Sequence, residues 1–392
     1  MSGSARPHLI LIGSSTRAAA FSALRAGFQP VCLDQFCDAD LKAHAFCQPL
    51  PDSLTSLRSL LAKWPDLPVM YTGGLENRID WIEEIGATHP LWGNDVQAIQ
   101  RVRDPEQLRE AARLARLNVP EWQSSDAPPP TDGTWILRPL QGAGGQGICI
   151  WNDAARTSPT LQQPHGFQQF ISGISHSALF IGPQEAGDVR FIGMTRQLVG
   201  EAVCHAGPFQ WCGNIGPVAL PVNVENTVRR FGNILKWKLG LRGLFGVDLV
   251  IDEQGNPWVT EVNPRYPAST ELLEHATGIP FLREHARCFT KEELPFCDWN
   301  RAHPGEFIGK AILYAAEDRQ ICQPLLEPAR ITVDEVPVLT DLPDVGTFLR
   351  RGEPACSVFA ESTTAGGTWE LLQQNLQTVA LRLHSVSTPV IA

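Results

Sequence analysis

No uninterrupted apolar stretch in the sequence approaches the roughly 20 residues that a membrane-spanning helix needs. The apolar run ahead of Gly13 is also too short for the core of a signal peptide, so a soluble, cytoplasmic protein with no membrane partner is expected. The 10 cysteines stand at 32, 37, 47, 149, 204, 212, 288, 297, 322 and 356, and no two of them form a C-x-x-C pair. In a chain this long the pattern reads as buried thiols of a reducing compartment, not as a disulfide framework or zinc site. Basic residues are in deficit, 32 Lys and Arg against 42 Asp and Glu, for a formal net charge of -10. That balance excludes a general nucleic-acid or anionic-membrane surface but leaves room for a local basic pocket, so the expected partner is a small molecule. Internal repeats, coiled-coil heptads and long low-complexity tracts are also lacking.

What is present is a globular composition, 43% hydrophobic and 19% charged, over 392 residues. Single cores seldom grow beyond about 250 residues, so two or three domains are expected. The segment "HLILIGSSTRAAAFSALRAGFQPVCLD" reads as strand, loop, amphipathic helix and second strand, a Rossmann-like opening. It lacks the full glycine fingerprint, because Gly13 is followed by Ser14, Ser15 and Thr16; a structural turn is therefore the stronger reading of Gly13 than a phosphate contact. "LPVMYTGGLENRIDWIEEI" supplies another strand, a Gly-Gly turn and a helix starting between Asn77 and Asp80. In "DPEQLREAARLARLNVP", Asp104 and Pro105 form an N-cap and N1 pair, and Pro120 is expected to close the helix.

The polar stretch "SSDAPPPTDG" marks a boundary or exposed loop. Beyond it, runs such as "SALFIG" and "VRFIGMTRQLVG" predict an α+β region with antiparallel sheet, and a helix is expected around 224 to 239. A further change falls near residue 300, where "GEFIGKAILYAA" opens a smaller mixed segment.

Within "WILRPLQGAGGQGICIW" the centre formally matches G-x-G-x-x-G, but a strand instead of a helix follows, and no Gly-Lys-Ser/Thr closes the loop. A β-hairpin is predicted. A glycine-rich hairpin lets backbone N–H groups approach phosphates without obstruction by Cβ, and Arg138 on the incoming strand adds a fixed charge. The alternative is a mobile hairpin with Arg138 in a surface ion pair. More than one hundred residues later, "GLFGVDLVIDEQGNPWVTEVNPR" predicts a second hairpin. Glu261 and Asn263, at i and i+2, share one face of a strand, and the hairpin can set Asp248 opposite them. Such hard oxygen donors suit magnesium on nucleotide phosphates, although capping and turn roles are alternatives. Asp252 reads as a turn residue. Arg265 has the charge for a phosphate or carboxylate, or for an interface ion pair.

Together, "WILRPLQGAGGQGICIW", "GFQQFISGISHSALFI" and "GLFGVDLVIDEQGNPWVTEVNPR" resemble the ATP-grasp superfamily, and "YTGGLEN" with the Gly13 to Arg17 opening is similar to a branch of ATP-dependent carboligases related to biotin carboxylase. The resemblance implies a combined α/β and α+β fold: a Rossmann-like preATP-grasp domain at 1–120, a bipartite ATP-grasp domain at 121–300 and a small C-terminal closing domain at 301–392. It implies ATP with Mg2+, or alternatively Mn2+. Gly142, Gly144, Gly145 and Gly147 fall on the family's flap, and Arg138 on its phosphate-contacting strand position, where Lys is common. Gln169, Phe170 and Ile171 fall on the adenine-contacting linker, and Ser175 where many members carry a ribose-binding Glu. Asp248, Glu261 and Asn263 match the metal-binding positions, and Arg265 the phosphate-side arginine, which with Arg138 makes the catalytic pair. Gly246 stands where some amino-acid ligases carry a further Arg.

The implied activity is that of a ligase joining a small-molecule carboxylate to an amine through an acyl phosphate, a homodimer being left open. A biotin-carboxylase-like carboxylase and a nonenzymatic ATP-binding regulator are the alternatives. Glu76 and Asn77 are candidates for the substrate side. Cys204 and His205 are adjacent in a predicted strand, so they should face opposite ways and form no dyad. His205 and Trp211 are substrate or packing residues, and Lys310 is a cleft residue or a solvated lysine.

Overall fold

The computed structural model describes residues 6–183, 187–290 and 306–390. The chain opens with β1 (His8–Gly13), α1 (Arg17–Arg25), β2 (Gln29–Asp34), α2 (Ala39–His44), β3 (Phe46–Pro49), α3 (Leu54–Leu61), β4 (Val69–Tyr71) and α4 (Ile79–Thr88). The four strands form a parallel sheet in the order β3-β2-β1-β4. Parallel strands are covered on both faces, which is why β1 is a continuous apolar run. Leu9 and Leu11 pack on α1 through Ala19, Ala20 and Ala23, while Ile10 and Ile12 meet Leu57, Trp81 and Ile82 on the other side. Gly13 is needed because a Cβ there would fall 2.0 Å from Thr72 Oγ1, a close approach that agrees with the turn reading.

Two helices, α5 (Val96–Arg103) and α6 (Pro105–Ala115), lead out of this layer. The Asp104 carboxylate accepts the N–H groups of Glu106 and Gln107, and Pro105 occupies N1. The helix ends earlier than expected: Arg116, in the left-handed region at φ 64, terminates it well before Pro120.

Next come β5 (Trp122–Ser124), β6 (Asp132–Pro139), β7 (Cys149–Asn152) and β8 (His165–Gln169), a small antiparallel sheet ordered β5-β8-β6-β7. They are followed by β9 (Ile174–Gly182), β10 (Arg190–Val199), β11 (Trp211–Gly216), α7 (Val222–Leu239), β12 (Gly243–Ile251), β13 (Pro257–Asn263), α8 (Ser269–Thr277) and α9 (Phe281–Arg287). The expected change near residue 300 lies outside the described residues. After it come β14 (Phe307–Tyr314), β15 (Arg319–Ile321), β16 (Leu339–Thr340), β17 (Phe348–Leu349), β18 (Pro354–Ser362), α10 (Ala365–Val386) and β19 (Ser387–Pro389).

The largest sheet is antiparallel and runs β13-β12-β9-β10-β11-β14-β18-β16, so strands on both sides of residue 300 are hydrogen-bonded into one surface. The amphipathic α10 covers its far end, where Leu372, Leu376, Val379 and Leu383 join Leu313 and Val358 in one apolar cluster.

The nine cysteines of the described residues are free, but they are not uniformly buried: Cys37, Cys47 and Cys149 are partly accessible and Cys322 is exposed. Hydrophobic burial alone does not place them, because Cys37 sits in a turn with φ 52 and Cys322 lies just past the end of β15, the central strand of a small three-stranded sheet. Among the described residues no helix is long and apolar enough to cross a membrane.

Candidate functional site

A cavity of about 1020 Å³ lies between the two hairpins, the loops that follow β1, β2 and β4, and strands β14 and β18. Arg138, Gly142, Gly144, Gly145, Gln169, Phe170, Ile171, Ser175, Asp248, Glu261, Asn263 and Arg265 all line it.

The glycine-rich loop joins β6 to β7 as a hairpin, with Ile136 opposite Ile150 and Leu137 opposite Cys149. Its tip rests on the loop before β11: Trp211 N–H donates to the Gly144 carbonyl at 2.9 Å. A Cβ on Gly145, whose φ is +76, would fall 1.9 Å from the Phe209 carbonyl oxygen, so only glycine permits that approach. Gly147 is not on the cavity wall. Its carbonyl instead accepts the Thr160 hydroxyl at 2.7 Å, which anchors the loop's return.

Arg138 projects from β6 and joins the hairpin layers, donating to Gln168 Oε1 at 2.7 Å and to Glu261 Oε2 at 3.2 Å. The linker after β8 is partly committed to backbone pairing, since the Gln169 and Phe170 N–H groups donate to the carbonyls of Glu121 and Thr134. The Phe170 ring stands edge-on to Phe209 with centroids 6.1 Å apart. Ser175 and Ser177 project from one face of β9, as alternation requires.

Strands β12 and β13 pair with Asp248 opposite Glu261 and Gly246 opposite Asn263. Asn263 Nδ2 donates to Asp248 Oδ2 at 2.9 Å, and Gln197 Nε2 donates to Oδ1 at 3.0 Å. Burial, reinforced by the Glu261 charge, pushes the Asp248 carboxyl up to about 6. Among the described residues no three His, Cys, Asp or Glu side chains cluster as a metal cage. Two carboxylates and one amide oxygen nonetheless fit magnesium, which keeps water and phosphate oxygens in its remaining positions. Asp252 has the turn role: its carboxylate accepts the Gln254 and Asn256 N–H groups and the Trp258 indole N–H.

Arg265 is held from two sides, with Nε on Glu76 Oε1 at 2.7 Å and an η nitrogen on Asn263 Oδ1 at 2.9 Å. Glu76 therefore stands behind Arg265 and is not on the cavity wall, and Asn77 accepts from Arg103 at the surface. Burial opposes the Arg265 charge, but Glu76 prevails and raises its pKa.

The opposite end of the cavity contains a network the sequence did not announce. Arg17, fully buried, donates to both carboxylate oxygens of Glu271 and through Nε to Asp341 Oδ1 at 2.9 Å. Lys310 meets Glu271 at 2.9 Å and Asp341 at 3.3 Å, so it is not a solvated lysine. Burial pushes the Glu271 carboxyl up, but the charges of Arg17 and Lys310 outweigh it and hold the group at about 2. The only hint of Arg17's role was a cation heading the apolar run "RAAAF".

Cys204 and His205 do not occupy a strand. Cys204 ends a short 3₁₀ turn and His205 has φ 56, with its Nδ1 2.9 Å from the Tyr314 carbonyl oxygen. Neither lines the cavity, so their separation follows from turn geometry and not from strand alternation. Trp211 does line it, with its indole N–H on Asn214 Oδ1 at 2.9 Å.

A glycine hairpin closing over a basic residue and a two-strand carboxylate set, beside a parallel α/β layer, is the arrangement that the sequence's resemblance to the ATP-grasp superfamily implies. Residues 106–269 match the family model described as an ATP-grasp domain. The chain is 32% identical over 159 residues to the carbamoyl phosphate synthase large chain of Neisseria meningitidis, an alignment spanning 39% of this chain and 15% of that relative's length. The crystal structure of an L-amino acid ligase from Bacillus licheniformis superposes with a TM-score of 0.69 at 16% identity, covering 100% of both chains. The biotin carboxylase domain of the Hydrogenobacter thermophilus 2-oxoglutarate carboxylase, solved with MgADP and bicarbonate, gives 0.70 at 13% identity, over 99% of this chain and 91% of that one.

Proposed function

We propose that the protein is an ATP-dependent ligase that joins a small carboxylate to an amine through an acyl phosphate. The observation that carries this reading is the convergence of Arg138, Asp248, Glu261, Asn263 and Arg265 on one cavity under a glycine hairpin. In this reading the division of labour follows three units, 1–120, 121–300 and 301–392, whose surfaces meet around the cavity.

Gly142, Gly144 and Gly145 admit the triphosphate under the hairpin, and Gly147 fixes the hairpin's base. Gln169, Phe170 and Ile171 receive the adenine, with Ser175 beside the ribose. Asp248, Glu261 and Asn263 would hold Mg2+, or Mn2+ in its place, which would supply charge neutralisation to the phosphates when bound. Arg138 and Arg265 hold the phosphoryl group and stabilise the charge that develops during transfer. The substrate carboxylate attacks the γ-phosphorus of ATP and ADP leaves. The amine then attacks the acyl carbon, loses a proton and expels inorganic phosphate. Alignment and charge neutralisation suffice, so no nucleophilic side chain is needed. The docked hairpin excludes water that would otherwise hydrolyse the acyl phosphate.

The test is to incubate the protein with MgATP and a panel of carboxylates and amines, chosen with the help of metabolites that copurify with it. ADP and phosphate should appear only with the right pair, together with a ligated product by mass spectrometry. ATP turnover without product across the panel, persisting in Glu261→Ala, would overturn the assignment.

A further inference from the structure

We propose that the end of the cavity away from the phosphate-binding hairpins is a subsite for a small cationic amine, with Asp38 holding its ammonium group and Ser269 supplying a further hydrogen bond. The inference rests on the ligase reading above and names the class of its second substrate, which binds as the ammonium, gives up one proton to Asp38 or solvent before the nitrogen attacks, and loses a second as the amide forms.

The charges at this end do not balance. Arg17 and Lys310 face Glu271, Asp341, Asp40 and Asp38, two cations against four carboxyl groups. Three of the four are satisfied from within the protein. Glu271 and Asp341 share Arg17 and Lys310, and Asp40 accepts the backbone N–H groups of Asp341 and Leu342 at 3.1 and 2.8 Å. Asp38 is different: it lines the cavity, is 8% exposed, and its carboxyl group makes no hydrogen bond or ion pair among the described residues, although its backbone carbonyl accepts the Lys42 N–H. An unpaired buried carboxyl group is costly unless a partner arrives. Its burial, together with the charges of Asp341 and Asp40, pushes its pKa well above the usual carboxylate range.

A second observation, on another element, points to a ligand in the same space. Ser269, at the start of α8, is 2% exposed and lines the cavity, and its hydroxyl oxygen is buried without a hydrogen-bond partner. A hydroxyl both donates and accepts, so it can serve an N–H of the amine or a polar group beside it. An anion is disfavoured here, because Lys310, the cation on the wall, is already shared by two carboxylates. Strand β14 runs from this end along the wall, so an amine held at Asp38 shares one continuous cavity with the phosphoryl-binding residues.

The test is calorimetric titration of the full chain, saturated with MgADP, using ethanolamine, 1,3-diaminopropane and L-alanine amide as cationic probes. Propanamide and 1,3-propanediol serve as uncharged counterparts. At least one cationic probe should bind, and Asp38→Asn should weaken it about ten- to a hundredfold, the loss of one charge-assisted contact. Asp38→Glu should restore part of the affinity, Ser269→Ala should cost about three- to tenfold, and MgADP affinity should stay within about twofold throughout. The proposal is overturned if no cationic probe binds, if uncharged probes bind as well, or if Asp38→Asn leaves amine affinity unchanged. Failure of the ligase reading looks different: the wild-type chain would then not bind MgADP, whatever the amines do.

Discussion

The two ends of the cavity use the same side-chain chemistry to opposite effect. At the hairpin end, burial and the neighbouring Glu261 push Asp248 up to about 6. At the other end, despite burial, Arg17 and Lys310 hold Glu271 down at about 2. A carboxylate that lacks an internal counter-charge is prepared for a cation from outside, whereas one with two internal cations is part of the framework. Function and structural support are thus separable by asking where each buried charge finds its partner.

The strongest way to break the comparison is Arg17→Met. It leaves Glu271 and Asp341 with a buried charge deficit and should destabilise the chain by about 3–5 kcal/mol in chemical denaturation. An unchanged midpoint would show that the network is not structural. Glu261→Ala belongs to the other end: its side chain is 46% exposed, so stability should hold while turnover with MgATP falls about 10²- to 10³-fold in steady-state kinetics.

Acid separates the two ends without mutation. The folded pKa of Asp248 lies above its ordinary value of 3.8, so its ionised form costs stability. The metal-free protein should therefore gain up to about 3 kcal/mol from this group as pH falls from 6 towards 4. Glu271 has the opposite sign. Its folded pKa lies below the ordinary value of 4.5, so its contribution is complete above pH 4.5 and is lost as pH falls towards 2. Denaturation curves across this range should show the rise and then the fall. Mg2+ affinity should drop about tenfold per pH unit below about 6, as protons compete at Asp248.

The smallest effect expected is for Gly145→Ala. A Cβ would force the hairpin off the Phe209 carbonyl and strain a left-handed residue by about 1–2 kcal/mol. About a tenfold loss in kcat/KM for ATP should follow, with a loss of stability no larger than that strain.

Much of the fold was legible because its signals are local. The continuous apolar run in "HLILIG", the Asp104 and Pro105 cap, and the period-2 placement of Glu261 and Asn263 each depend on residues within a few positions. The Arg138 hairpin was readable for the same reason, since strand, glycines and strand are contiguous. Where local rules were extended too far, they failed. Pro120 does not end α6, because the backbone had already turned left-handed at Arg116, and Cys204 and His205 lie in a turn and not a strand.

By itself the sequence determined the Rossmann-like opening, the two hairpins and the residues they carry, because strand alternation and turn chemistry act over short range. Only the tertiary structure decided that Glu76 stands behind Arg265, that Gly147 points away from the cavity, and that Lys310 is buried in an ion network. It alone brought Arg17 to Glu271 and Asp341, and left Asp38 without a partner. The contacts of Arg265 with Glu76 and of Arg17 with Glu271 and Asp341 join residues separated by 189 to 324 positions, and no local pattern encodes which distant charge a buried side chain will meet.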